Sequence, residues 1–178
     1  MKKIILIISL IAIGIGYAGV LNYYGKIVGT ITIQAPIFYA DFSQNKLLTN
    51  TKPSSLGTIT LSDSDSKKLF SESIDATFNY KIKCEFSVRV KSNRENQILR
   101  VYCKYHDGSV LKELCHSDIT VSTNFQTYTT SCTAETNPPY NVNRFVYDFE
   151  GQSFNDEVEY TIESNPYGDT KLQIDKAS

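Results

Sequence analysis

Two histidines and four cysteines are the side chains in this sequence that are best suited to chemistry. His106 follows Cys103 by three positions, and His116 directly follows Cys115. Two thiolates and two imidazoles could complete a tetrahedral zinc site. Neither spacing matches the usual knuckle geometry, however, and an even number of cysteines also suits a disulfide framework. Disulfide pairing is therefore the expectation, and zinc is the alternative.

No catalytic signature accompanies these residues. The sequence contains no HExxH, no GxSxG, no P-loop and no glycine-rich dinucleotide turn. A triad base would have to be His106, at a predicted turn, or His116, near a predicted strand end. Acidic residues that could serve acid–base chemistry are more typical of loops and solvent-facing strands; they are Asp63, Asp65, Asp156, Glu157 and Glu159. We therefore expect a protein that is not an enzyme.

Calcium is the second metal ion that the sequence leaves open. Asp63 and Asp65 are separated by one residue and could contribute oxygen ligands. No second half of an EF-type loop follows them, so the pair fits a surface loop better. Apart from this calcium site, no cofactor is expected.

The N-terminal segment, residues 1–21, predicts the compartment. Lys2 and Lys3 precede thirteen residues without a charge, which has the form of a secretory signal, and a cut before Gly19 would leave small residues at the −3 and −1 positions. The apolar run Ile4–Leu21 is also 18 residues long, enough for an uncleaved membrane anchor. Either reading delivers the rest of the chain outward: as a single-pass protein of the cell membrane with its C-terminal domain outside, or as a secreted protein.

Charge and composition limit the partners and the fold. The 178 residues carry a formal net charge of −1, and no basic stretch suggests nucleic acid as a partner. Twelve tyrosines and nine phenylalanines favour strands over helices. The membrane, through the N-terminal segment, is the first partner predicted.

Alternation of apolar and polar residues runs unbroken from residue 76 to 91. Even positions are apolar or aromatic and odd positions are polar, as in a strand with one face in a core. Shorter candidate strands flank this stretch and are separated by turn sequences such as Asp107-Gly108. These candidate strands are 57–61, 67–71, 98–105, 110–115, 119–122, 126–133, 144–149, 157–163 and 171–174. The sequence predicts an all-β protein: a single jelly-roll-like β-sandwich over residues 37–178, preceded by one N-terminal hydrophobic helix.

The cysteine spacing favours one of three connectivities. Cys84 and Cys103 are equidistant from the gap between residues 93 and 94, and Cys115 and Cys132 from the gap between 123 and 124. If each gap is the turn of an antiparallel hairpin, each pair lies directly opposite and within disulfide reach. We therefore predict Cys84–Cys103 and Cys115–Cys132. Strands that cross to opposite sheets would allow another pairing.

The segment 22–36 reads as a β-strand that leads away from the membrane. One face is formed by Ile27, Gly29, Ile31, Ile33 and Ala35. Pro36 then ends ladder pairing at its own position. The strand is either an edge strand of the chain's own sheet or a self-association strand donated to a neighbouring copy.

Two tyrosines are candidates for stacking on sugar rings. Tyr102 has the opposite parity to Leu99 and Val101, which predicts that it faces solvent, and Tyr128 is the second candidate. The alternative is that both rings simply cover a sheet.

Several segments in sequence order carry a resemblance to known domains. Residues 78–132 contain an alternating strand (FSVRVK), a strand that ends in an Asp-Gly turn (LRVYCKYHDGSV), a Thr/Val-rich strand and an aromatic-Gln-x-Tyr strand (TNFQTYTTSC), and LQID follows near the C-terminus. This order resembles the jelly-roll carbohydrate-binding and galactose-binding-like domains. The resemblance implies a β-sandwich and surface glycans as partners, and Phe125 stands where such domains often carry tryptophan.

The layout of one hydrophobic segment and one sandwich resembles short archaeal surface proteins and archaeal filament subunits. In the donor-strand filament group, an N-terminal extension completes the sheet of a neighbour. We thus expect a non-enzymatic cell-surface or secreted protein with a structural or interaction role. The alternatives are a self-assembling donor-strand subunit, whose partners are copies of itself, and a carbohydrate-binding module.

Overall fold

Thirteen β-strands make up the described part of the chain. The computed structural model describes residues 35–176, except residues 75, 79–80, 136–139, 154 and 156. The strands are β1 (Ile37–Asp41), β2 (Lys46–Thr49), β3 (Gly57–Ser62), β4 (Ser66–Phe70), β5 (Ala76–Phe78), β6 (Ile82–Ser92), β7 (Gln97–Asp107), β8 (Val110–Val121), β9 (Gln126–Ala134), β10 (Tyr140–Val142), β11 (Arg144–Gly151), β12 (Glu159–Ser164) and β13 (Lys171–Lys176). Over these residues we find no helix of the length and hydropathy needed to cross a bilayer.

Two sheets face each other. A seven-stranded sheet has the order β2-β1-β13-β6-β12-β3, and β9 pairs with the free side of β6. A four-stranded sheet has the order β4-β11-β7-β8, and β5 and β10 form a separate two-stranded ribbon. The prediction of an all-β sandwich is confirmed for the described residues. The predicted N-terminal helix, residues 1–21, lies outside them.

The entry into the sandwich is described only from Ala35 onward. The other members of the predicted self-association face lie outside the described residues; they are Ile27, Gly29, Ile31 and Ile33. The Pro36 carbonyl accepts a hydrogen bond from the Ile174 N–H at 3.3 Å, so the ladder with β13 reaches the proline even though proline has no N–H to donate. The strand that follows, β1, is not at an edge: it pairs with β13 on one side and β2 on the other.

The core lies between the sheets and is rich in aromatic rings. Inward-facing rings meet across it, with Phe38 and Phe145 at 5.4 Å and Phe86 and Tyr147 at 5.7 Å between centroids. The largest fully buried side chains are Tyr105, Tyr147, Tyr160, Phe38, Phe86, Phe145, Phe149, Leu47, Leu69, Ile82, Leu99 and Ile162. Burial of one such side chain stabilises the fold by about 1.5–3 kcal/mol.

The long alternating stretch forms two strands rather than one. In β6 the alternation holds, since Cys84, Phe86, Val88 and Val90 are all fully buried. Strand β5, by contrast, does not belong to the seven-stranded sheet and pairs with β10 instead. Period-two patterning therefore identified the buried face correctly but missed the change of sheet.

Both predicted disulfide bonds are present, but their setting differs from the prediction. Cys84 and Cys103 have their Cα atoms 6.4 Å apart, and Cys115 and Cys132 have theirs 5.9 Å apart. The expected hairpins do not exist, because β6 and β7 belong to different sheets, as do β8 and β9. Both bonds therefore cross the sandwich. The zinc alternative is wrong, since all four thiols are used in disulfides.

One predicted hairpin is confirmed, and it joins β7 to β8. Asp107 pairs with Val110, which leaves a two-residue turn with Gly108 at φ 62°. The two short strands predicted at 110–115 and 119–122 are one strand, β8. The register of the β7–β8 ladder shifts between Cys103 and Lys104 of β7, so a β-bulge interrupts the ladder there.

Candidate functional site

A depression lies on the outer face of the seven-stranded sheet, where β9, β6 and β13 run side by side. It has a volume of ≈ 180 Å³, and we call it the polar trough. Its lining consists of the side chains of Glu85, Ser87, Thr129, Lys171 and Gln173 together with the chain at Phe86. Successive residues of a strand point to opposite faces, so the polar positions of β6 face this trough while its apolar positions fill the core.

One row of register partners crosses the trough. Thr129 pairs with Ser87, Ser87 with Lys171, and Lys171 with Tyr39, so four strands contribute neighbouring side chains. Partners in such a row have Cβ atoms about 5 Å apart. Ser87 is only 7% exposed, and its hydroxyl donates to the Asp169 carbonyl at 2.6 Å. Ser87 therefore forms the floor, between a threonine hydroxyl on one side and a lysine on the other.

The adjacent row adds a carboxylate and an amide. Glu85 pairs with Ser131 on β9 and with Gln173 on β13. The Lys83 ammonium lies 2.5 Å from Glu85 Oε1, so this carboxylate already has a counter-charge. Among the described residues, the Gln173 side chain has no hydrogen-bond partner, which leaves both its donor and its acceptor available.

The next strand, β1, places an aromatic residue, Tyr39, in register with the lining residue Lys171. Tyr39 is half-buried, and its ring lies against Gly168, which has φ 77°. A Cβ atom at Gly168 would come within 2.6 Å of Tyr39 Cε1. The glycine is therefore required both by its left-handed backbone conformation and by the approach of the ring.

A second aromatic residue, Phe125, directly precedes β9 and contacts two cations of β6. The half-buried Phe125 ring has the Arg89 guanidinium 5.4 Å and the Lys91 ammonium 5.0 Å from its centroid. Arg89 also pairs with Glu163, with Nε 3.0 Å from Oε1. The ring is thus engaged by two cations of its own chain.

Tyr102 does not provide the exposed platform predicted from the sequence. It does lie on the outer face of the four-stranded sheet, but it is only 8% exposed. The Lys104 ammonium is 3.8 Å from the ring centroid, and the His116 ring is 5.3 Å away. Burial raises the pKa of the Tyr102 hydroxyl. Neighbouring side chains therefore cover this ring.

Tyr128 is also committed to the fold. It is half-buried against the core, in register with the fully buried Val88. Its hydroxyl oxygen accepts a hydrogen bond from the Ser122 N–H at 3.0 Å. The two tyrosines lie on different sheets, so they do not form one stacking surface.

The two aspartates predicted as calcium ligands, Asp63 and Asp65, accept hydrogen bonds from neighbouring residues. Asp63 is 6% exposed, and its oxygens accept hydrogen bonds from the N–H groups of Ser153 at 2.8 Å and Asn155 at 3.2 Å. Asp65 accepts from the Ser62 hydroxyl at 2.6 Å. No group of three or more metal-binding side chains exists within the described parts of residues 35–176. Asp63 thus holds a loop together.

The remaining candidates for chemistry do not converge. His106 and His116 lie on the four-stranded sheet, and His116 Nδ1 is 2.6 Å from Glu113 Oε1. Glu157 forms an ion pair with Arg94. Asp156 lies outside the described residues, and none of the other predicted catalytic groups lines the polar trough. The sequence signal for the trough was present in the polar positions of the alternating stretch, which include Glu85 and Ser87.

Asp148, on β11, is a buried charge on the outer face of the four-stranded sheet. It is 1% exposed, and the Lys104 and Lys68 ammonium groups lie 2.7 and 3.8 Å from its Oδ2. Oδ1 has no hydrogen-bond partner within the described residues. Burial raises the pKa of this carboxyl and outweighs the two lysines, which lower it.

No protein-family model matches the sequence, and no curated protein matches it. Among solved structures, an aminopeptidase from the marine sediment archaeon Thaumarchaeota archaeon aligns with a TM-score of 0.59 and 8% identity over 81% of this chain and 37% of its own. A CocE/NonD family hydrolase from Staphylococcus aureus aligns with a TM-score of 0.57 and 9% identity, over 81% and 37%. The chain thus spans 37% of the length of these two proteins.

Carbohydrate-binding modules are also among the similar structures. The N-terminal cellulose-binding domain of Cellulomonas fimi β-1,4-glucanase C aligns with a TM-score of 0.43 and 6% identity, over 81% of this chain and 90% of its own. The all-β sandwich that the sequence resemblance implied is present over the described residues. At these identities the likeness concerns the fold alone.

Proposed function

We propose that this protein is a non-enzymatic binding domain that acts outside the cell and recognises glycans at the polar trough. One observation carries the proposal: a depression on a sheet face is lined by hydroxyl, amide, carboxylate and ammonium groups, and the aromatic Tyr39 is in register with its lysine, Lys171.

This combination of groups suits the chemistry of a saccharide. A sugar ring presents alternating hydroxyls, each of which donates and accepts hydrogen bonds, and an apolar face of C–H groups. Gln173 offers an amide donor and an acceptor, and Thr129 offers a hydroxyl. Aromatic side chains such as Tyr39 combine an apolar body with a polar tip. The trough thus provides partners for both kinds of sugar surface.

The proposed compartment follows from the sequence and from the disulfide bonds. Two disulfides and no free cysteine are typical of a protein that folds in an oxidising environment. We propose that residues 1–21 direct the sandwich outward, as a signal peptide or as an anchor. A binding domain displayed in this way would meet surface or environmental glycans without needing a catalytic group.

A binding screen tests the proposal. Purified full-length protein is applied to a glycan array and to insoluble polysaccharides, and bound protein is quantified. We expect binding to at least one saccharide class, with a loss of about tenfold or more in Tyr39→Ala and Gln173→Ala.

Tyr167→Ala is the matched control, because Tyr167 is 80% exposed and lies in the loop between β12 and β13, whereas Tyr39 is in register with the lining residue Lys171. It should bind like the wild type. Absence of binding across the array, or equal losses in Tyr39→Ala and Tyr167→Ala, would remove the proposal.

A further inference from the structure

The two charged residues that line the polar trough, Glu85 and Lys171, differ in their pairing. Glu85 is neutralised by Lys83, with an ammonium–carboxylate distance of 2.5 Å. Lys171 is half-buried and, within the described residues, makes no ion pair. Of the two charged residues that line the trough, Lys171 is therefore the one without an ion-pair partner among the described residues.

This cation has well-defined neighbours. Lys171 is in register with Ser87 on one side and Tyr39 on the other, and Gln173 lies two residues along the same strand. A half-buried ammonium has lost part of its hydration, and an anionic partner would offset that loss. A ligand anion at Lys171 would thus lie between a hydroxyl floor and the aromatic Tyr39.

We propose that the polar trough selects acidic saccharides of the uronate type, in which one carboxylate per sugar residue pairs with Lys171. The hydroxyls of the same sugar meet Gln173 and Thr129, and its apolar face lies against Tyr39. This inference rests on the proposed glycan-binding function and specifies the substrate class of the same site.

The number of cations favours a uronate over more highly charged polymers. Nucleic acids and densely sulfated glycans are bound through many lysines and arginines, each neutralising one anion. Here the neighbouring cation Arg89 is already paired with Glu163, and Lys91 lies over Phe125. One available ammonium matches one carboxylate.

The experiment compares polymers that differ only in charge. Polygalacturonate, alginate and hyaluronate are each used beside their carboxyl-reduced forms, in which the uronic acid has become a neutral sugar. Affinity electrophoresis or calorimetry with the full-length protein measures binding at low and high salt. We expect at least one uronate polymer to bind about tenfold more tightly than its reduced form, a difference that shrinks as salt rises.

Substitutions test whether Lys171 causes the difference in affinity between the acidic and the carboxyl-reduced polymers. Lys171→Gln should abolish the preference for the acidic form, and Lys171→Arg should retain most of it. Lys67→Gln is the matched control, because Lys67 is a half-buried strand lysine of the other sheet that also makes no ion pair within the described residues. Circular dichroism verifies that each variant is folded.

The outcomes separate this inference from the proposed function. Binding to neutral glycans with no preference for any acidic form overturns the uronate assignment and leaves glycan binding standing. A preference that persists in Lys171→Gln overturns the role of Lys171. Absence of binding to every polymer and to the glycan array overturns both proposals.

Discussion

Cys84 and Cys132 are register partners on neighbouring strands of the same sheet, yet each is bonded to a cysteine of the opposite sheet. Cys103 and Cys115 repeat this relationship on β7 and β8, at the edge of the bulge. The two disulfides therefore run side by side between the sheets. They join the sandwich where β8 and β9, the last strands of their sheets, come together.

The two disulfides differ in access to solvent, which predicts an order of reduction. Cys84 and Cys103 are fully buried, whereas Cys115 and Cys132 are half-buried. Thiol–disulfide exchange requires that a thiolate reach a sulfur atom. We expect increasing dithiothreitol to reduce Cys115–Cys132 first, as measured by alkylation and peptide mass mapping of the native protein.

The unfolded protein is the control for this order. In guanidinium both bonds are exposed, so they should be reduced together. Simultaneous reduction in the native protein would contradict the prediction. By the chain-entropy model, loss of one such bond costs about 3 kcal/mol of unfolding free energy.

The cysteines also show what the sequence can and cannot predict. Alternation placed Cys84 and Cys103 on buried faces, and symmetric spacing gave the correct pairs. The spacing could not reveal that residues 93–96 cross between sheets, since a crossing and a hairpin both reverse the chain within a few residues. Sheet membership depends on packing against strands that are distant in sequence.

The sequence predicted only some residues of the polar trough, because the trough also depends on strands that are distant in sequence. Glu85 and Ser87 belong to the polar positions of the alternating stretch, so their exposure to one face followed from the sequence. Tyr39 and Lys171 come from opposite ends of the sandwich domain and meet through the pairing of β1 with β13. Tyr102 had the expected parity, but the side chains of Lys104 and His116 cover it.

Replacement of Gly168 should damage both stability and binding. Gly168→Ala places a Cβ atom 2.6 Å from Tyr39 Cε1 at a backbone φ of 77°. The left-handed conformation costs about 1 kcal/mol without glycine, and displacement of the ring adds about 1–3 kcal/mol. Denaturant unfolding should therefore show a loss of about 2–4 kcal/mol, and glycan binding should fall with it.

Gly108→Ala is the matched control for this substitution. Gly108 has φ 62°, but a Cβ atom there meets nothing within 4 Å. The control should show only the backbone cost of about 1 kcal/mol and unchanged binding. Equal effects of the two substitutions would mean that the contact with Tyr39 contributes nothing.

The buried Asp148 predicts a specific pH dependence. Burial raises its folded-state pKa above the ordinary value of 3.8. The native protein then holds a proton on Asp148 at pH values where the unfolded chain has lost it, so the unfolding free energy falls as pH rises through this window. Lowering the pH from neutral should therefore raise the contribution of Asp148 to the unfolding free energy.

A comparison with Asp148→Asn isolates this contribution. The variant keeps the shape of the side chain but has no carboxyl to titrate. The difference in unfolding free energy between wild type and variant should shift in favour of the wild type as pH falls toward 4. A difference that is independent of pH, or one that shifts in favour of the variant, would show that the Asp148 pKa is not raised.

Deletion of residues 25–35 tests the prediction of a self-association strand. Strand β1 begins at Ile37 and already has partners on both sides, and the Pro36 carbonyl is bonded to Ile174. We therefore expect the deleted protein to remain folded, with a melting temperature within a few degrees of the full chain, as measured by circular dichroism. If the strand is donated to a neighbour, sedimentation or electron microscopy should show assemblies of the full chain and none of the deleted protein.

The double substitution Ile31→Lys, Ile33→Lys gives a control that keeps the length of the chain. It places charges on the predicted apolar face, so it should also prevent assembly through that face while the sandwich stays folded. If the deletion instead unfolds the sandwich, the strand belongs to the chain's own sheet. If both proteins assemble like the full chain, self-association does not use this segment.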